Sequence, residues 1–179
     1  MRGLLIGRFQ PFHRGHQAVV RSLRHARPEE TLVLGIGSAQ ESYTWKNPFT
    51  AGERYEMIER GLSSDRLSGW TALPVPDIQR HALWVSYVES LLPAFERVYT
   101  NNPLTQMLFE RAGYTVERPT LVDRAHLEGA HIRTLLAEGG DWPPLVAPTV
   151  SSYLNEILAP ARMRLLARGE ASAAGTPRT

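Results

Sequence analysis

Gly3-Leu4-Leu5-Ile6-Gly7-Arg8-Phe9-Gln10-Pro11-Phe12-His13-Arg14-Gly15-His16 is the stretch on which the reading of this chain turns. Its opening, Gly3-Leu4-Leu5-Ile6, is a short apolar run that predicts a buried strand. Beyond it His16, Val19, Val20 and Leu23 recur at helical spacing, so a helix starts close to Gly15. Between the two lie paired histidines with a glycine among them. Main-chain N–H groups at a helix N-terminus attract anions, and a glycine lets a ligand approach the backbone. Imidazoles placed there can donate hydrogen bonds to phosphate oxygens while charge moves during a reaction. Such a turn suits a triphosphate. The same residues admit a plainer role as well, with His13 a loop residue and His16 a helix cap.

Working outward, Thr31-Leu32-Val33-Leu34-Gly35-Ile36-Gly37 reads as a second buried strand that ends in glycine. Ala51 to Leu62 predicts a helix, with Ala51, Tyr55, Ile58 and Leu62 at helical spacing. Thr71 to Val75 is a third strand, Ala82 to Leu92 a helix, and Arg97-Val98-Tyr99-Thr100 a fourth strand. Leu104 to Ala112 is helical, and Tyr114 to Val116 opens a fifth strand. This alternation predicts the α/β class, a doubly wound parallel sheet of about five strands covered on both faces. Such sheets bind ligands at the carboxyl ends of their strands, where the strand order reverses. Gly7-Arg8 and Gly37-Ser38 occupy the first two of those ends. After residue 125 the pattern is helical, over Ile132 to Ala137, Val150 to Leu158 and Ala161 to Ala167. The expectation is therefore one domain over 1–167, with a core to about residue 125 and a helical C-terminal part over 126–167. Arg168 to Thr179 is small and polar, and reads as a disordered tail.

Bulk properties narrow the partners. With no cysteine, neither a disulfide framework nor a thiolate metal site can form. Zinc is not expected, since the histidines lack plausible partners. A net charge of +2 gives no case for nucleic acid. Of the 20 basic residues only Lys46 is a lysine, a bias that genome composition explains more simply than function. Neither a signal peptide nor an apolar run of membrane-spanning length is visible, so a cytoplasmic protein with no membrane partner is expected.

The motif H-x-G-H after a strand resembles the signature of the class I nucleotidyltransferase superfamily. The longer form, Gly7-Arg8-Phe9-Gln10-Pro11-Phe12-His13-Arg14-Gly15-His16, is similar to that of the archaeal-type nicotinamide-nucleotide adenylyltransferases. Those enzymes join the mononucleotide NMN to the AMP part of ATP, releasing pyrophosphate, on a Rossmann-like sheet with a helical C-terminal part. Adenylyl transfer of this kind needs no proton taken from the attacking phosphate and no covalent intermediate. It needs two polyanions held together and charge stabilised on the leaving group. Basic and N–H-rich loops should then replace a catalytic triad, and no convincing triad is present.

Further blocks continue the resemblance in order. Gly37-Ser38-Ala39-Gln40 is similar to the family's segment after its second strand, and implies a mononucleotide contact at Ser38. Trp45-Lys46-Asn47-Pro48-Phe49-Thr50-Ala51-Gly52-Glu53-Arg54 follows, with Lys46 where the family places a basic residue for the mononucleotide phosphate. Thr50 and Glu53 are explained without a ligand, as a helix cap and the partner that completes a capping box. In Asp77-Ile78-Gln79-Arg80-His81-Ala82-Leu83-Trp84-Val85, the resemblance implies that Trp84 stacks on the nicotinamide ring. A flat electron-poor ring favours an aromatic face, although Trp84, Val88 and Leu91 also form a stripe suited to a core. His81 stands where the family's asparagine helps to read the carboxamide.

Asn101-Asn102-Pro103-Leu104 is similar to the family's segment near the adenosine, and otherwise reads as a turn into a helix. Arg124-Ala125-His126-Leu127-Glu128-Gly129-Ala130-His131-Ile132-Arg133 aligns with the second signature, where a helix start and an arginine hold the ATP phosphates. Gly129, Ile132 and Arg133 are kept. Glu128 and Ala130 replace the family's two hydroxyl residues, and a carboxylate at Glu128 would weaken ATP binding unless it points away or pairs with a base such as Arg124. The resemblance thus implies His13, His16 and Arg133 as catalytic. It implies ATP contacts at Gly7, Arg8, Phe9, Gln10, Gly15, His16, Asn102, Arg124, Gly129 and Arg133. It implies NMN contacts at Ser38, Lys46, His81 and Trp84, with nicotinic acid mononucleotide as an additional acceptor. Magnesium enters with the ATP rather than on protein ligands. A homo-oligomer, such as a hexamer, is also implied. Two other readings stay open, a related transferase with another phosphorylated acceptor and a non-catalytic nucleotide sensor.

Overall fold

The computed structural model describes residues 1–120 and 127–174. Among the described residues five strands form one parallel sheet: β1 (Arg2–Gly7), β2 (Thr31–Gly37), β3 (Trp70–Val75), β4 (Arg97–Tyr99) and β5 (Thr115–Glu117), in the order β3-β2-β1-β4-β5. The strand order reverses beside β1, so the turn after Gly7 lies at the switch point where open sheets bind ligands. Helices α1 (Arg14–Ala26), α2 (Ala51–Ser64), α3 (His81–Leu91) and α4 (Pro103–Arg111) alternate with the strands. The chain then runs through α5 (Gly129–Glu138), α6 (Pro148–Glu156) and α7 (Ala159–Ala174).

Alternation along the strands divides the core into two layers. Leu5, Leu32 and Leu34 face one side, where α1, α2 and the C-terminal helices supply Val20, Ile58, Ile132 and Val150. Leu4 and Val33 face the other, against Val88 of α3 and Phe109 of α4. Burial of each such side chain contributes roughly 1.5–3 kcal/mol.

The α/β class, the parallel sheet and its five strands match the sequence reading, and element ends shift by a few residues. Two expectations are corrected. Tyr55 lies on the outer edge of α2, 39% exposed, and the inner face is Arg54, Met57, Ile58, Gly61 and Leu62. The apolar stripe drawn through Tyr55 missed this because a buried arginine occupies a position that hydrophobic periodicity discounts. The last helix does not stop at Ala167: α7 continues to Ala174, so the tail expected to be disordered from Arg168 is helical that far. Residues 175–179 lie outside the described residues.

Candidate active site

The turn between β1 and α1 is built by its own side chains. His13 is the N-cap of α1, and its Nδ1 accepts a hydrogen bond from the Gly15 amide at 3.2 Å. His16, at the third helical position, accepts from the His13 amide through Nδ1 at 3.3 Å. This is a capping box made of two histidines. The capping role and a ligand role are therefore compatible, and they involve opposite nitrogens. With both Nδ1 atoms accepting, each neutral ring carries its proton on Nε2.

The two rings stack at 3.7 Å, with Phe9 edge-on to His16 at 4.9 Å and Phe12 stacked on it at 5.6 Å. Burial pushes the His13 pKa down to about 4. The His16 ring keeps a partial opening to the cavity, yet burial, and then repulsion from His13, hold its pKa well below the usual imidazole value. At neutral pH the pair offers neutral N–H donors, not cations.

Those rings line a cavity of about 350 Å³ together with Arg8, Phe9, Gln10, Gly15, Glu128, Gly129, Ala130 and Arg133. Gly129 begins α5 there, and a Cβ at this position would stand 3.0 Å from the Gln10 carbonyl oxygen, which as backbone cannot yield. Arg133 is buried, and its Nη1 donates to the Gln10 carbonyl at 2.8 Å. Its Nε is buried with no hydrogen-bond partner. Burial, and then repulsion from Arg8, push the Arg133 pKa down to about 10. A buried cation beside another cation, with one donor left without a partner, has the chemistry to take an anion. Glu128 is the N-cap of α5 without capping it through its side chain.

A second cavity, of about 360 Å³, opens at the carboxyl ends of the strands. Gly7, Arg8, Ser38, His81, Trp84 and Asn102 line it, joined by Asp77, Thr100, Thr105 and Leu108. A Cβ on Gly7 would meet the Phe9 ring at 2.7 Å, so this position stays without a side chain. Trp84 is half-buried, edge-on to Phe109 at 5.5 Å, while Val88 beneath it is fully buried and Leu91 is 40% exposed. The stripe is thus core only in part, and the indole also forms a cavity wall. His81 is exposed at the first position of α3. Arg8 lines both cavities.

Not every expected residue converges. Asn102, assigned to ATP, lines the second cavity, and its Oδ1 caps α4 by accepting from the Leu104 amide at 2.9 Å and the Thr105 amide at 3.1 Å. Lys46 is exposed and lines neither cavity. Arg124 lies outside the described residues. Gln10 turns its side chain inward, donating to the Phe49 carbonyl at 2.9 Å and accepting from the Phe49 amide at 3.0 Å. Its contribution to the first cavity is as a strut between two loops. Thr50 and Glu53 form the expected capping box. Sequence reasoning missed Arg54, fully buried beneath both strand ends, as well as Asp77 and Thr100 in the second cavity. For Arg54 the signal was its place one helical turn before the buried Met57 and Ile58.

Residues 4–145 match the cytidylyltransferase-like family model. A nicotinamide-nucleotide adenylyltransferase of Picrophilus torridus is 42% identical over 170 residues, covering 95% of this chain and 99% of its own. The chain belongs to the nicotinamide-nucleotide adenylyltransferases. A second such enzyme, from Methanothrix thermoacetophila, is 45% identical over 168 residues, 93% of this chain and 96% of its own. The fold of this adenylyltransferase is shared with a bifunctional NMN adenylyltransferase/ADP ribose pyrophosphatase of Francisella tularensis, at a TM-score of 0.73 and 17% identity. A second structure of that protein, complexed with AMP and manganese, superposes at a TM-score of 0.69 and 18% identity over 95% of this chain. This adenylyltransferase spans about half the length of the bifunctional chain, 53% of it. Among the described residues no helix is long and apolar enough to cross a membrane.

Proposed function

We propose that the enzyme transfers AMP from ATP to NMN, with the triphosphate in the first cavity and the mononucleotide ring in the second. The observation that carries this reading is Arg8, which lines both cavities and so stands where two anions would meet. An oxygen of the NMN phosphate attacks the α-phosphorus of ATP, the α–β bridging bond breaks, and pyrophosphate leaves. The Nε2–H groups of His13 and His16 donate to phosphate oxygens as charge builds, and Arg133 with the start of α5 holds the leaving pyrophosphate. Two neutral donors and fixed cations suit this step, because no proton has to be moved.

Among the described residues no group of three or more His, Cys, Asp and Glu could hold a metal ion. Magnesium would travel with the triphosphate and would supply positive charge to its phosphates. The same family membership leads us to take the enzyme as homo-oligomeric and cytoplasmic, with nicotinic acid mononucleotide as a second acceptor.

Purified enzyme incubated with ATP, magnesium and NMN should give NAD and pyrophosphate, resolved by chromatography. Dinucleotide only with a different phosphorylated acceptor would replace the mononucleotide assignment, and bound ATP without turnover would make the protein a sensor. Two substitutions test the halves separately. Trp84→Leu keeps an apolar contact with Phe109 but removes the stacking face, and should raise the KM for NMN about tenfold with kcat little changed. An unchanged KM would return Trp84 to the core. Glu128→Ser combined with Ala130→Thr restores the hydroxyls and removes a carboxylate from the cavity wall. The KM for ATP should fall about tenfold, in line with one favourable charge-assisted contact; no fall would mean that the two hydroxyls gain no contact with the phosphates.

A further inference from the structure

Among the described residues Arg54 is the largest fully buried side chain, and its guanidinium serves main-chain carbonyls. Nη1 donates to the carbonyls of Arg8 at 3.0 Å and Gly37 at 2.7 Å. Nη2 donates to that of Ser38 at 3.2 Å, and Nε to that of Thr50 at 3.2 Å. One planar group thus ties the turn after β1 to the turn after β2 and both to the cap of α2.

The residues it holds are strained. Phe9 has φ of 49° and Ser38 has φ of 47°, a left-handed backbone that side chains other than glycine's disfavour. Each directly follows a carbonyl that Nη1 grips, Arg8 for Phe9 and Gly37 for Ser38. In a trans peptide the carbonyl and the next amide N–H point in opposite directions. Holding those carbonyls therefore directs the Phe9 and Ser38 amides away from the guanidinium. Phe9 lines the first cavity and Ser38 the second. Strain of this kind persists only where the surroundings over-determine it, and it gathers at ligand sites.

We propose that Arg54 is a positioning residue for adenylyl transfer, setting the turn of each cavity from one buried fork so that the two substrates meet in register. It touches neither substrate. The inference rests on the two-cavity reading above. Arg54→Lys keeps a buried cation but loses the planar fork, and Arg54→Met removes the donors altogether. Per folded molecule, kcat should fall about 30-fold in Arg54→Lys and further in Arg54→Met, with either KM rising less than fivefold, since misplacing reacting groups by an ångström can cost about 10²-fold. A merely structural arginine would lower the melting temperature and the folded fraction while kcat per folded molecule stayed at the wild-type value, and that result overturns the proposal.

The unmodified enzyme gives a second reading that needs no variant to fold. Inorganic pyrophosphate is too small to span both cavities. Its binding should slow amide hydrogen exchange at Ser38 as well as at Phe9, because the two turns share one guanidinium. Protection at Phe9 alone would overturn the coupling. Protection at neither would overturn the placement of the triphosphate itself, and the inference would fall with it.

Discussion

Alanine at His13 or at His16 is expected to lower kcat by about 10²–10³-fold, the range for removing one fixed donor from a developing oxyanion. The KM for NMN should change little. Each ring spends Nδ1 on a backbone amide, Gly15 for His13 and His13 for His16, and so keeps Nε2–H for a ligand. Because His13 also caps α1, its loss mixes catalysis with stability. His13→Asn separates them, since an asparagine oxygen can accept the Gly15 amide while the shorter side chain cannot reach a phosphate. Stability should recover in that variant and kcat should not. Recovery of both would reduce His13 to a cap.

The pH dependence follows from the same burial. The folded His13 pKa lies near 4, against 6.5 for an ordinary imidazole. Between those values the unfolded chain takes up a proton that the folded chain refuses. Unfolding therefore becomes easier as pH falls through that window, by on the order of 3 kcal/mol at its acid end. His13→Asn should lose this part of the acid sensitivity, measured by denaturant titration at pH 7 and pH 4.5. For the same reason His13 should give no inflection in kcat/KM for ATP between about pH 5 and 8, where that ratio reports the free enzyme. An inflection near pH 6.5 that vanishes in His13→Ala would show a cationic imidazole at work, contrary to the geometry.

Sequence legibility followed local chemistry. The strand, turn and helix around His13 could be read because apolar periodicity, glycine and a helix start fall together within a few residues. Thr50 and Glu53 were legible for the same reason: a capping box is a contact between residues three apart. Trp84 was ambiguous, and the structure explains why, with the indole both packed on Phe109 and lining a cavity. Arg54 was legible only through its place one helical turn before Met57 and Ile58. Its partners are carbonyls of Arg8, Gly37 and Ser38, far apart in sequence, and a hydrophobic pattern places arginine outside by default. The same limit applied to Gln10, whose side chain answers to Phe49. What periodicity cannot register is a polar group buried for the sake of backbone from another element.

Three arginines accordingly share one small region, and they oppose each other. Repulsion from Arg8 depresses both Arg54 and Arg133 further than burial alone does. In a ligand-free protein this arrangement costs stability, and its compensation comes when a polyanion binds. The cost and the function should therefore separate on mutation of the arginine closest to the phosphates.

Arg133→Met is expected to lower kcat/KM for ATP by about 10³-fold while leaving the ligand-free protein at least as stable. The loss of activity corresponds to two charge-assisted hydrogen bonds to phosphate at about 1.5–3 kcal/mol each. Arg133→Lys, which keeps the charge but cannot present a fork, should fall between the two. For stability, the folded guanidinium pKa near 10, against 12.5, means that the charged form is disfavoured by on the order of 3 kcal/mol below pH 10. Methionine removes that term and gives up the charge-assisted bond from Nη1 to the Gln10 carbonyl, worth about 1.5–3 kcal/mol. The balance lies between zero and a gain of about 1.5 kcal/mol, so Tm should hold or rise by up to about 5 °C for a chain of this size. ATP with magnesium should stabilise the wild type by mass action and the variant hardly at all. A variant that melts several degrees lower yet still responds to ATP would make Arg133 a structural strut for Gln10, and would move the triphosphate out of the cavity between α1 and α5.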